Sequence, residues 1–109
     1  MPGITVDGVF AERPAYMREV YDEIVGQLRL SGPVHEDAVG VGVFLKAARK
    51  IGEVRPKVRS VNLLLFLPRP LSGAEQVASS VWMLTLRFTA AGVTEEIRGL
   101  LDEAYEAAG

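Results

Sequence analysis

VGVGVFLKAARKIGEVRPKVRSVNLLLFL, residues 39–67, decides the fold. Val39, Val41, Val43 and Leu45 alternate with Gly40, Gly42, Phe44 and Lys46, the period of two expected of a strand. Ala47 to Lys50 makes a turn. Ile51 to Arg55 reads as a short strand that Pro56 stops or confines to a sheet edge, because proline brings no N–H to a ladder. Val58 to Leu67 is the strongest strand, with Val61, Leu63, Leu65 and Leu67 on one face and Leu64 and Phe66 on the other. Apolar residues on both faces place it centrally, partly covered on its second side. The stretch predicts a hairpin or a three-strand meander. Gly40 and Gly42 share one face of the first strand. Glycine there marks a close backbone approach or a bulge more often than a floor left bare for a ligand, and both readings stand at this point.

Outward from this stretch, the chain supplies what a sheet needs to be covered. Residues 1–11 read as an N-terminal arm anchored by Phe10. Pro14 suits a first helical turn, where its missing N–H costs nothing. Tyr16, Met17, Val20, Tyr21, Ile24, Val25 and Leu28 then recur at three- and four-residue spacing and line one helix face. Ser31-Gly32-Pro33 ends that helix, since glycine accepts the left-handed exit and proline cannot continue it. On the other side, Leu71 to Ser80 reads as a loop with at most one helical turn. Val81 to Phe88 is a fourth strand whose Trp82, Leu84, Leu86 and Phe88 face the core. Thr94 caps a last helix, with Glu95 and Glu96 at its positive end and Ile97, Leu100, Leu101, Ala104, Tyr105 and Ala108 as its apolar stripe. Gly99 falls on the exposed side. The expected fold is a single α+β domain over residues 1–109: an N-terminal helix, a sheet of about four antiparallel strands and a C-terminal helix, both helices packed on the sheet.

Composition narrows the chemistry. The chain has 109 residues, 49% of them hydrophobic and 24% charged, as in one globular domain. Its apolar runs are far shorter than the roughly 20 residues that cross a bilayer, and its N-terminus lacks a basic and apolar leader. A cytoplasmic protein without a membrane partner is expected. With no cysteine, disulfides, thiolate metal sites and a cysteine nucleophile are excluded. The one histidine, His35, sits beside Glu36 and Asp37, but neighbours in an extended segment point in opposite directions and do not converge on a metal. No serine lies in a nucleophile elbow, and Gly40-Val41-Gly42 lacks the rest of a phosphate loop. The acidic residues of the last helix read as a solvated face. No catalytic, metal-binding or cofactor-binding constellation emerges, so the chain leans away from enzymatic function.

Charge is the one uneven property. Lys46, Arg49, Lys50, Arg55, Lys57 and Arg59 give residues 46–59 a balance of +5, inside a chain whose net charge is −2. These six residues are the candidate anion- or nucleic-acid-binding site, since affinity for a phosphate backbone grows with the phosphates neutralised. Against that stands protection of an edge strand by lysine and arginine. No aromatic residue interrupts Ala47 to Ser60, so the segment by itself offers bases no stacking platform.

Phe10-Ala11 with Arg13-Pro14, the Gly32-Pro33-Val34 exit, Val54-Arg55-Pro56-Lys57 and the closing Ala104-Tyr105-Glu106 together resemble the bacterial family called domain of unknown function 5655, over roughly residues 9–108. The resemblance implies an α+β order like the one above and no assigned reaction. Where relatives carry lysine and threonine in the first strand this chain has Gly40-Val41, and where they carry histidine before the last strand it has Ser79-Ser80-Val81-Trp82-Met83. Three functions are left to compare. The first is a non-enzymatic binding module, pairing as a homodimer or with a protein partner through a sheet edge or the Trp82 region. The others are a nucleic-acid or phosphate-binding accessory domain, and a small-molecule pocket between sheet and helix over Gly40 and Gly42.

Overall fold

The structure is a computed structural model that describes residues 3–109; the first two residues of the expected arm lie outside the described residues. Three helices, α1 (Val6–Phe10), α2 (Ala15–Arg29) and α3 (Glu95–Ala108), accompany six strands: β1 (His35–Val39), β2 (Gly42–Lys46), β3 (Lys50–Pro56), β4 (Val61–Leu67), β5 (Glu75–Ala78) and β6 (Val81–Phe88). The strands form one antiparallel sheet in the order β1-β2-β3-β4-β6-β5.

The expected architecture of helices on an antiparallel sheet stands, but the sheet has six strands rather than about four. The first expected strand is two. Its alternation continues through a tight turn at Gly40-Val41, and β1 begins at His35, ahead of the alternating residues. The sixth is β5, which read as loop because Glu75 to Ala78 are all exposed and carry no apolar alternation. Nor is Ile51 to Arg55 at an edge. β3 lies between β2 and β4, and Pro56 fits because it is the strand's final residue, paired with Val61.

One face of this sheet is core. Val61, Leu63, Leu65 and Leu67 of β4 are buried and stand opposite Phe88, Leu86, Leu84 and Trp82 of β6, so the Trp82 side of that strand does face inward. Val43 and Leu45 extend the layer through β2. Met17, Val20, Tyr21, Ile24, Val25 and Leu28 of α2 join the same cluster, as do Leu101, Ala104 and Ala108 of α3. Each large side chain so buried contributes about 1.5–3 kcal/mol relative to exposure.

Local chemistry explains where the helices start and meet. Pro14 stands at the N-cap of α2, where its carbonyl accepts from the Met17 N–H (3.0 Å). Thr94 Oγ1 caps α3 by accepting from the Ile97 N–H (3.3 Å). The arm contains a short helix, α1, tied to α2 by Arg18, which reaches Asp7 (2.7 Å) and Asp22 (2.9 Å). Helices α2 and α3 meet through Gln27 Nε2 donating to Asp102 Oδ1 (2.8 Å), and Glu23 Oε2 accepts from the Val93 N–H (2.8 Å) just before α3. The buried Tyr21 hydroxyl donates to Glu36 of edge strand β1, and Arg29 closes on the other Glu36 oxygen at 2.6 Å. Burial and the Glu36 carboxylate hold the Tyr21 phenol well above the usual tyrosine range. Among the described residues, no helix is long and apolar enough to cross a membrane.

Candidate ligand-binding face

All three helices contribute to a core on one side of the sheet, which leaves the other side without a covering layer. Strand alternation decides which side chains stand there. Asp37, Phe44, Glu53, Leu64 and Thr85 pair in register across β1, β2, β3, β4 and β6. Arg55, Asn62 and Arg87 form the next row, and Phe66 pairs with Met83 on the other side of the central one. Phe44, Leu64, Phe66 and Met83 are half-buried, and none belongs to the core cluster.

An irregularity brings charge into this face. Leu45 pairs with Gly52, but Lys46 pairs with Lys50, so Ile51 is an extra residue on β3. A bulge of this kind resets the alternation. Ile51 turns into the core, where it is fully buried, and Lys50 turns out beside Phe44. Unbroken alternation from Val54 through Gly52 would send Lys50 inward instead.

The centre is a charged cluster framed by two aromatic rings. Lys50 Nζ lies 3.9 Å from the Phe44 ring centroid, 5.4 Å from that of Phe66 and 3.1 Å from Glu53 Oε1. Arg55 Nε donates to the other Glu53 oxygen. Glu53 is only 4% exposed, although it stands on the uncovered side, because its neighbours enclose it. A carboxylate held so far from water needs counter-charges, and Lys50 and Arg55 supply them. Lys46 lies 5.8 Å from the Phe44 centroid and is paired with Asp37 at 3.2 Å. Arg87 has no ion-pair partner among the described residues. Between Arg55 and Arg87, the Asn62 Oδ1 is buried without a hydrogen-bond partner among the described residues.

The six candidate cations therefore separate. Lys46, Lys50 and Arg55 share the open face. Arg49 sits in the β2–β3 turn, where its N–H donates to Ala108 O at the end of α3 (2.8 Å). Lys57 and Arg59 occupy the β3–β4 turn, at the opposite end of a strand roughly 20 Å long. That turn is held to the start of α2: Arg13 Nη1 donates to Lys57 O (2.8 Å) and the Tyr16 hydroxyl donates to Arg59 O (3.0 Å). Edge protection does not account for the lysines, because β2 and β3 are inner strands and the edges are β1 and β5. The sequence pointed to Lys46, Lys50 and Arg55 but passed over Phe44, Phe66, Asn62 and Arg87. Phe44 and Phe66 were legible as the residues out of phase with the core; their convergence on Lys50 depends on strand register.

Other candidates resolve into structure. A methyl group at Gly42 would collide with the Val54 carbonyl oxygen, so the neighbouring strand fills the space that the absent side chain leaves. Gly40 borders a shallow groove of about 320 Å³ beside Arg13 and Glu12. His35 is exposed at the start of β1, and no group of acidic or histidine side chains among the described residues can hold a metal ion. In comparisons with known proteins, no family model, no curated protein and no solved structure matched this chain.

Proposed function

We propose that this protein is a non-enzymatic binding module that holds single-stranded nucleic acid on the open face of its sheet. The observation that carries this is the placement of Phe44 and Phe66 on alternate strands around Lys50, with Lys46, Arg55 and Arg87 on the same surface. Splayed bases offer flat apolar faces to the rings, and the phosphates between them meet the cations. Lys50 is the movable part. Its ammonium covers the Phe44 ring in the free protein; an arriving base takes that place and the ammonium turns to a phosphate. Glu53 keeps Arg55 in position throughout.

Self-association through the same face is the competing reading. In a two-fold pair this surface would meet the same surface of a second copy, bringing together two faces that each carry more cations than carboxylates, and like charges brought together oppose association.

Fluorescence anisotropy with a labelled short oligonucleotide distinguishes the two. Binding at low salt is expected, with single strands preferred over duplex. Phe44→Ala and Phe66→Ala should each weaken it by about 5- to 100-fold, the effect of losing one stacking platform. Absence of binding, or binding indifferent to both substitutions in variants that remain folded by circular dichroism, overturns the proposal. A concentration-dependent dimer disrupted by the same substitutions would favour the competing reading.

A further inference from the structure

We propose a second site in the apolar cavity at the foot of β4, for a small amphipathic carboxylate whose tail enters the cavity and whose head is held by Arg49. The cavity, open to solvent on one side, has a volume of about 520 Å³, within the roughly 300–1,000 Å³ typical of small-molecule sites. It opens where the end of β4, the β5–β6 hairpin and the last turns of α3 come together. Leu67, Val77, Val81, Ala104 and Ala107 line it. The cavity exists because α3 changes character along its length. Leu101 is fully buried in the core, but the part of the following turns that borders the cavity presents only Ala104, Ala107 and Ala108.

Two cationic residues are among those that line the cavity, Arg49 and Lys50. They are not equivalent. Lys50 is engaged with Glu53 and the two phenyl rings, whereas Arg49 has no ion-pair partner among the described residues. The backbone of Arg49 is fixed by its hydrogen bond to Ala108 O, which seats the residue at the junction of turn and helix. A mainly apolar cavity lined by an arginine without an ion-pair partner among the described residues complements an aliphatic or aromatic tail ending in a single carboxylate, which arginine binds in a two-pronged fashion. A polynucleotide strand has no apolar tail for this chamber, so the site is separate from the open face even though Phe66 and Lys50 stand at the boundary between them.

The test uses decanoate, with decanol as the uncharged probe of the same tail, followed by chemical-shift mapping and titration on the whole chain. Decanoate should saturate a single site, with shifts at Arg49, Val77 to Val81 and Ala104 to Ala108. Decanol should bind about tenfold or more weakly, the loss expected without a charge-assisted hydrogen bond. Arg49→Gln should erase the difference between the two. Ala107→Trp, on an exposed position of the wall, should abolish both while the helical signal is kept. Phe44→Ala should leave decanoate affinity unchanged, which separates this site from the proposed nucleic-acid surface. Equal binding of decanoate and decanol, shifts away from these residues, or no saturable binding in the millimolar range overturns it, as does undiminished affinity in a folded Ala107→Trp variant.

Discussion

Replacing Glu53 with Gln keeps the shape of the side chain and removes its charge. Lys50 and Arg55 then lose the carboxylate that lies between them, and the open face gains one unit of positive charge. Both cations are partly exposed, so water screens part of their repulsion, and a loss of about 1–3 kcal/mol in urea unfolding is expected. Affinity for an oligonucleotide should rise in the same variant. A variant that loses both together would show that Glu53 positions the site rather than tempers it. Tyr21 gives a second test. Its folded-state pKa is raised, so its contribution to stability is complete below the ordinary tyrosine value near 10 and is lost as pH climbs above it. Unfolding measured from pH 8 to 11 should show stability falling by up to roughly 1.4 kcal/mol per pH unit above about pH 10, and Tyr21→Phe should remove that component. At this scale the sequence told which residues face inward on β4 and β6. It could not tell that Lys50 faces outward, because the single extra residue at Ile51 reverses the alternation and leaves no compositional trace.

Among the elements, the β1–β2 hairpin shows most clearly what sequence periodicity omits. Val39, Val41 and Val43 alternate without a break, yet the chain reverses at Gly40-Val41, because period two reports which face a residue takes and not where its strand turns back. The two glycines separate in consequence. A side chain at Gly42 meets the Val54 carbonyl, and nothing stands near one at Gly40. Gly42→Ala should therefore cost about 1–3 kcal/mol, with a clear fall in melting temperature, while Gly40→Ala should stay within about 0.5 kcal/mol of the parent. Equal effects at the two positions would refute the proposed packing of β2 on β3. The strand β5 was illegible for a different reason. Four exposed residues paired on one side with β6 carry no hydrophobic signal, and their conformation is imposed by the neighbour. Helices α2 and α3 were legible from spacing and caps, since a stripe and a Thr94 or Pro14 boundary are local features, whereas the short α1 lay inside what read as an arm.

Taken as a whole molecule, the protein is slightly acidic but presents cations on its one uncovered surface. Three to four phosphate contacts there predict a plot of log affinity against log salt with slope about −2 to −3 for a single strand, and Arg87→Ala should make it shallower by about 0.7. A slope near zero would mean that Lys46, Lys50, Arg55 and Arg87 do not meet phosphates. Charge imbalance in the sequence identified the region. It could not show that three of the six cations belong to the face and that a fourth, Arg87, arrives from a strand outside the basic segment.

The pairing order of the sheet bears on how the chain folds. From β1 to β4 every strand lies beside its predecessor, and β5 lies beside β6. Each of these pairings closes a short loop, whose entropy is small and grows only slowly with length. Other encounters are distant: β4 meets β6 across the whole of β5, Arg13 and Tyr16 reach Lys57 and Arg59 across 44 and 43 residues, and α3 meets α2 across 75 residues at Gln27 and Asp102. Local pairings favour fast assembly, so the β1–β4 meander and the β5–β6 hairpin are expected to form before α3 docks on α2. Gln27→Ala should then speed unfolding while leaving the folding rate nearly unchanged.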